Sequence, residues 1–100
     1  MSLNGAQRNA TRAEFRRNFQ LLDLAPGDAA RALGVDDARI EGIMSLELVR
    51  HLEDAWVLRA FLIDRAEESG VQLVPFTALR GDPEDYPFLD AERVHAQLLD

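Results

Sequence analysis

The stretch from residue 26 to residue 45 constrains the fold more than any other part of the chain. It places Ala30, then Leu33-Gly34-Val35, then Ile40 and Ile43 in an order that two short helices and a tight turn require. A small residue at Ala30 lets a second helix approach the first. Gly34 supplies positive φ at the turn. Leu33, Val35, Ile40 and Ile43 plug the angle between the helices. This is the spacing of a helix-turn-helix unit, whose second helix ordinarily enters the major groove with its N-terminal residues on base edges. Here those residues are Asp36, Asp37, Ala38, Glu41 and Gly42. The packing signal and the charge signal therefore disagree.

The remaining segments read as helices around that unit, and 100 residues make one domain over 1–100. A first helix is predicted from Asn4 to Leu22, with Asn4 and Gln7 as a capping box or, alternatively, Thr11 and Glu14 as a later start. Phe15, Phe19 and Leu22 share one face. Pro26 suits the first position of a second helix ending at Leu33. Asp36 or Asp37 caps a third, to about Ser45. A fourth, long and central, runs from about Glu47 to Ser69 and stops at Gly70. Its middle is apolar nearly all round, so it is buried on most sides, as a spine or also as a subunit interface.

Residues 71–89 read as an extended and loop segment. Val71 to Phe76 is β-prone, and Pro75 limits its pairing. It lies on the core as an arm or pairs with the same segment of a second chain. Thr77 caps a single turn to Leu79. Phe88 and Leu89 anchor the loop. Asp90 caps a last helix, to about Leu99, with Val94, Leu98 and Leu99 turned inward.

The net charge is -7, all basic residues are Arg, and residues 1–50 are charge-balanced, so the acidity falls in the second half. Such a chain is repelled by nucleic acid at long range. A local basic stripe can still act, and Arg8, Arg12 and Arg16, with Arg17 beside them, line one face of the first helix. An ordinary solvated face explains such a stripe as well.

Enzyme chemistry finds little support. Cysteine is absent, which excludes disulfides and thiolate metal sites. No nucleophile elbow, triad spacing or Gly-rich phosphate loop occurs. His51 lies one turn from Glu47, as a surface pair. Asp82, Glu84, Asp85 and Asp90 offer oxygen ligands for calcium or magnesium, but their spacing is not that of an EF-hand. No catalytic residue, cofactor or metal is expected. No apolar run spans a bilayer and no signal segment is evident, so a cytoplasmic location is expected.

The chain resembles a bacterial family of small uncharacterised proteins, the domain of unknown function 2316 family. The resemblance rests on Ser2-Leu3-Asn4, Thr11, Phe15, Phe19 and Leu33-Gly34. It continues through Glu53-Asp54-Ala55-Trp56-Val57-Leu58-Arg59, Val74-Pro75-Phe76-Thr77-Ala78-Leu79, Gly81-Asp82, Tyr86 and Phe88-Leu89-Asp90. It implies a bacterial, helix-turn-helix-like cytoplasmic protein and supplies no catalytic residues, cofactor or ligand.

The expected fold is an all-α bundle with a helix-turn-helix, lambda-repressor-like core and a short extended C-terminal arm. Two functions are expected of it. One is a DNA-binding transcriptional regulator on double-stranded DNA, with Arg8, Arg12, Arg16, Arg31, Arg39 and Ser45 as contacts. The other is an acidic protein-interaction or dimerisation module that kept the packing and lost the DNA face. A homodimer interface is expected from Trp56, Leu58, Phe61, Val74 and Phe76.

Overall fold

A computed structural model describes residues 3–46, 52–86 and 89–99. The described residues are all-helical, with no strand among them: α1 (Gly5–Leu21), α2 (Pro26–Leu33), α3 (Asp37–Met44), α4 (Leu52–Ser69) and α5 (Ala91–His95), with a 3-10 turn at Pro83–Asp85. The expected start of the fourth helix at Glu47, the Glu47–His51 pair and the anchor at Phe88 lie outside the described residues.

Local chemistry accounts for most of these boundaries. α1 starts at the first of the two predicted capping boxes: Asn4 Oδ1 accepts from the Gln7 amide at 2.8 Å, and Gln7 Oε1 accepts from the Asn4 amide at 3.0 Å. Thr11 is instead buried inside α1, its hydroxyl donating to the Gln7 carbonyl at 2.8 Å. α2 begins with Pro26, and Asp28 Oδ2 accepts from the Ala25 amide at 2.8 Å. It ends at Gly34, whose φ of 74° is open to glycine at little cost. Asp36 is the cap of α3, accepting from the Arg39 amide at 2.8 Å. Asp37 stands inside the helix and faces α2: a Cβ on Gly27 would meet Asp37 Oδ2 at 3.2 Å.

The core is one cluster. Phe15 and Phe19 of α1, Ala29 and Ala30 of α2, and Ile40 and Ile43 of α3 close on Ala55, Trp56, Val57, Leu58, Phe61 and Leu62 of α4. α2 packs on α3, α3 touches both α1 and α4, and α5 lies on α4.

The segment after α4 is the arm of the first alternative. It carries no strand and is held by α1. The fully buried Asn18 accepts from the Val74 amide at 2.8 Å and donates to the Val74 carbonyl at 3.1 Å. Its side-chain amide thus does for the arm what a neighbouring strand would do. One turn earlier, Glu14 accepts from the Thr77 amide at 3.1 Å and from its hydroxyl at 2.6 Å. Phe76 meets Phe15 edge-on, with centroids 5.4 Å apart.

Three expectations need correction. Residues 77–79 form a bend and not a helical turn, since Thr77 donates to Glu14 instead of capping. α5 stops at His95, well short of Leu99, because Gln97 takes a positive φ of 55° and the Leu98 amide closes back on the Arg93 carbonyl at 3.1 Å. That reversal turns Leu98 outward to 59% exposure, while Val94 is buried as expected.

Candidate interaction face on the third helix

The outer surface of α3 is the candidate site. Its cap residue Asp36, then Asp37, Ala38 and Glu41 are exposed, while Ile40, Gly42 and Ile43 face the core. Gly42, which the spacing placed among the outward residues, is therefore buried. The exposed set carries three carboxylates and no cation.

Arg39, the cation of that helix, turns the other way. Its Nη2 donates to Asp54 Oδ2 of α4 at 2.8 Å. Arg93 of α5 pairs with Asp54 Oδ1 through Nη2 and with Glu53 through Nη1 at 3.3 Å. Asp54 is fully buried, and the two arginine side chains retain 21% and 15% exposure. A buried carboxylate requires such partners, because removing one leaves an uncompensated charge in low dielectric. The pairs tie α3, α4 and α5 together at one point. They engage Arg39 in structure, away from the solvent face of α3.

Two arginines of the α1 stripe are engaged at the opposite end of α3. Arg8 Nη2 donates to the Leu46 carbonyl at 2.8 Å. Arg12 Nη1 donates to the Ser45 carbonyl at 3.2 Å and Nη2 pairs with Asn9. These carbonyls lie just past the last turn of α3, where cations are favoured by the helix dipole. Ser45 itself donates its hydroxyl to the Gly42 carbonyl at 3.2 Å.

Arg16 is exposed and lines a recess of about 260 Å³ with Arg12, Pro26, Glu41, Met44 and Ser45. Arg17 is exposed, its Nη1 3.5 Å from Gln20 Oε1, at the outer limit of a hydrogen bond. Arg31 is exposed and paired with Asp28. The predicted DNA contacts are thus dispersed. Arg39 lies behind α3, Arg8 and Arg12 cap its C-terminal end, and Arg16, Arg17 and Arg31 remain on the surface.

The residues expected to form a dimer interface lie mostly inside the single chain. Leu58 is fully buried, and Trp56, Phe61 and Phe76 retain 2%, 4% and 7% exposure. Val74 is half-buried, and its backbone is bonded to Asn18. The apolar breadth of α4 is consumed by α1, α3, α5 and the arm, which together wrap it. Within the single chain, Trp56, Leu58, Phe61 and Phe76 thus serve the core.

Sequence reasoning missed Asp54, Arg93, Asn18 and Glu14. For Asp54 a signal was available: an acid beside Ala55-Trp56-Val57-Leu58, in a stretch otherwise destined for the core, implies a cationic partner. Asn18 gave a weaker one, as a polar residue beside Phe19 on the buried side of α1.

Two groups elsewhere have shifted titration. Burial lowers the pKa of Arg59, opposed by the nearby charges of Asp82 and Tyr86. The hydrogen bond from His95 lowers that of Glu84. Among the described residues no group of acids and histidines is placed to hold a metal ion, and no helix is long and apolar enough to cross a membrane.

No curated protein and no solved structure matches the chain. A family pattern does, across residues 1–90, and it covers α1 to α4, the arm and the loop that follows. The chain therefore belongs to the family described as "Uncharacterized protein conserved in bacteria (DUF2316)".

Proposed function

We propose that this protein is a helix-turn-helix domain of lambda-repressor-like packing that acts as an acidic protein-interaction module, with α3 receiving a basic protein surface. The observation that carries this reading is the orientation of Arg39. With its guanidinium on Asp54, the exposed side of α3 presents Asp36, Asp37 and Glu41 without a cation among them. Phosphates are repelled by such a face, and a single acid accepting from cytosine does not offset three carboxylates. Arginine-rich protein surfaces are attracted to it, through charge-assisted hydrogen bonds and steering.

A second reading, a DNA-binding transcriptional regulator, is favoured by one observation. Arg16 stands unpaired among the described residues, beside Arg12 and the N-terminus of α2 at Pro26. Guanidinium groups next to a helix N-terminus suit a phosphate.

One experiment separates the two readings. The protein is titrated at low salt with a mixed-sequence DNA duplex and, separately, with an arginine-rich peptide. The interaction module binds the peptide, loses affinity when Asp37→Asn and Glu41→Gln are combined, and ignores the duplex. Duplex binding that falls steeply with salt and is lost in Arg16→Gln establishes the regulator instead.

A further inference from the structure

We propose that the groove between α4 and the chain from Leu73 to Gly81 is a binding site for a small organic carboxylate with an apolar tail. The cavity there measures about 310 Å³, and its walls include Ile63, Leu73, Val74 and Phe76, with Arg59 and Arg80. That size is at the lower end for small-molecule sites, which combine apolar walls with a few polar groups. No acidic residue lines this groove. In a chain of net charge -7, such a place is unusually open to an anion.

The two arginines differ in a useful way. Arg59 is held in place: its guanidinium lies 4.8 Å from the Trp56 ring centroid and 5.8 Å from that of Phe76. Its Nη2 donates to the Gly81 carbonyl at 3.0 Å, while its Nε is buried without an acceptor. Asp82 faces Arg59 from the neighbouring recess, on the side of Ala60, Asp64 and His95. Arg80 is exposed, and its side chain has no partner among the described residues. A planar carboxylate fits between a fixed and a free guanidinium, through short charge-assisted hydrogen bonds. The aliphatic wall of Ile63, Leu73 and Val74 then accepts the tail.

Hexanoate titrated into the full chain tests the site. Amide NMR shifts locate it, and the emission of Trp56, the single tryptophan, reports on the Arg59 stack. Saturable binding with a Kd on the order of 1 mM or tighter is expected, with shifts centred on Leu73, Val74, Phe76 and Gly81. The neutral analogue hexanamide should bind about tenfold more weakly or worse. Arg80→Gln, at an exposed position, should lose about tenfold in hexanoate affinity, whereas Arg31→Gln on α2 should leave it unchanged. The proposal is overturned by non-saturating shifts, by hexanamide binding as well as hexanoate, or by an unaltered Kd in Arg80→Gln. Inorganic phosphate competing as strongly as hexanoate also overturns it, since the apolar wall would then contribute nothing.

Discussion

Asp54 and Glu41 are carboxylates placed on opposite sides of α3, and they have opposite fates. Asp54 is completely shielded from water and shared between Arg39 and Arg93. Glu41 stands in solvent at the edge of a recess that holds Arg12 and Arg16, with no hydrogen bond or ion pair to either. One acid is a tie between three helices, and the other is free surface charge. The formal charge of a segment is therefore a poor guide to the charge it shows. Arg39 is the one cation of α3 in the sequence, yet in the fold it turns onto Asp54 and leaves the solvent side of that helix wholly acidic. The same partition runs through α1, where Arg8 and Arg12 close the end of α3 while Arg16 and Arg17 remain outside.

The largest effect expected from this contrast is at Asp54. Asp54→Asn keeps the shape and removes the charge shared by two largely buried guanidiniums, of which Arg93 keeps its pair with Glu53. A loss of about 2–3 kcal/mol is expected in urea unfolding, below the usual figure for a broken buried pair because both arginines keep some water. A loss under about 0.5 kcal/mol would show that the buried tie does not stabilise the fold and would dissolve the comparison.

Next in size is the seam between α1 and the arm. Asn18→Ala strips two hydrogen bonds from the Val74 backbone, at a cost of about 2 kcal/mol. Faster hydrogen exchange at the Val74 amide, with α2 and α3 unaffected, would place the effect in the arm. Uniform loss of protection would show instead that Asn18 supports the whole core.

The solvent side of α3 sharpens the comparison further, since its acids are not equivalent. Asp36→Ala removes the helix cap and should cost about 1 kcal/mol in thermal or urea unfolding. Glu41→Gln should change stability by less than about 0.5 kcal/mol, because the side chain has no partner to lose. An equal cost for both would mean that Glu41 is structural after all, and that the face is less available to a partner.

The smallest effect belongs to the surface pair of Glu84 and His95. Contact with His95 holds Glu84 below the ordinary carboxylate range. A depressed folded-state pKa contributes stability above the ordinary value and loses it as pH falls through the lowered one. His95→Ala should move the Glu84 titration upward by NMR while leaving the Asp54 tie intact.

Much of the fold was legible along the chain because the deciding interactions are local. Asn4 with Gln7, Pro26, Gly34 and Asp36 set helix ends through contacts within a few residues. The start of α1 and the resting place of the arm were each legible only as one of two alternatives. Asn18 chose the arm position, and it lies 56 residues from Val74. The early end of α5 was not legible at all, since nothing in Gln97 itself demands a positive φ.

The candidate site divides in the same way. That α3 would carry Asp36, Asp37 and Glu41 on its outer side followed from helical periodicity once Ile40 and Ile43 were assigned inward. That Arg39 would be withdrawn from this face did not, because the withdrawal depends on Asp54 and Arg93 meeting it from two other helices. The fate of the apolar breadth of α4 was also open. An apolar stripe specifies burial but not by what, and only the packed chain shows α1, α3, α5 and the arm covering it.

By itself, then, the sequence determined the starts of α2, α3 and α5, the turn at Gly34 and most of the apolar positions, since backbone conformation and side-chain period act over one or two turns. The tertiary structure decided which charges are buried and which arginines are free. An ion pair's value depends on desolvation and on partners distant along the chain, and neither is visible until the chain has closed on itself.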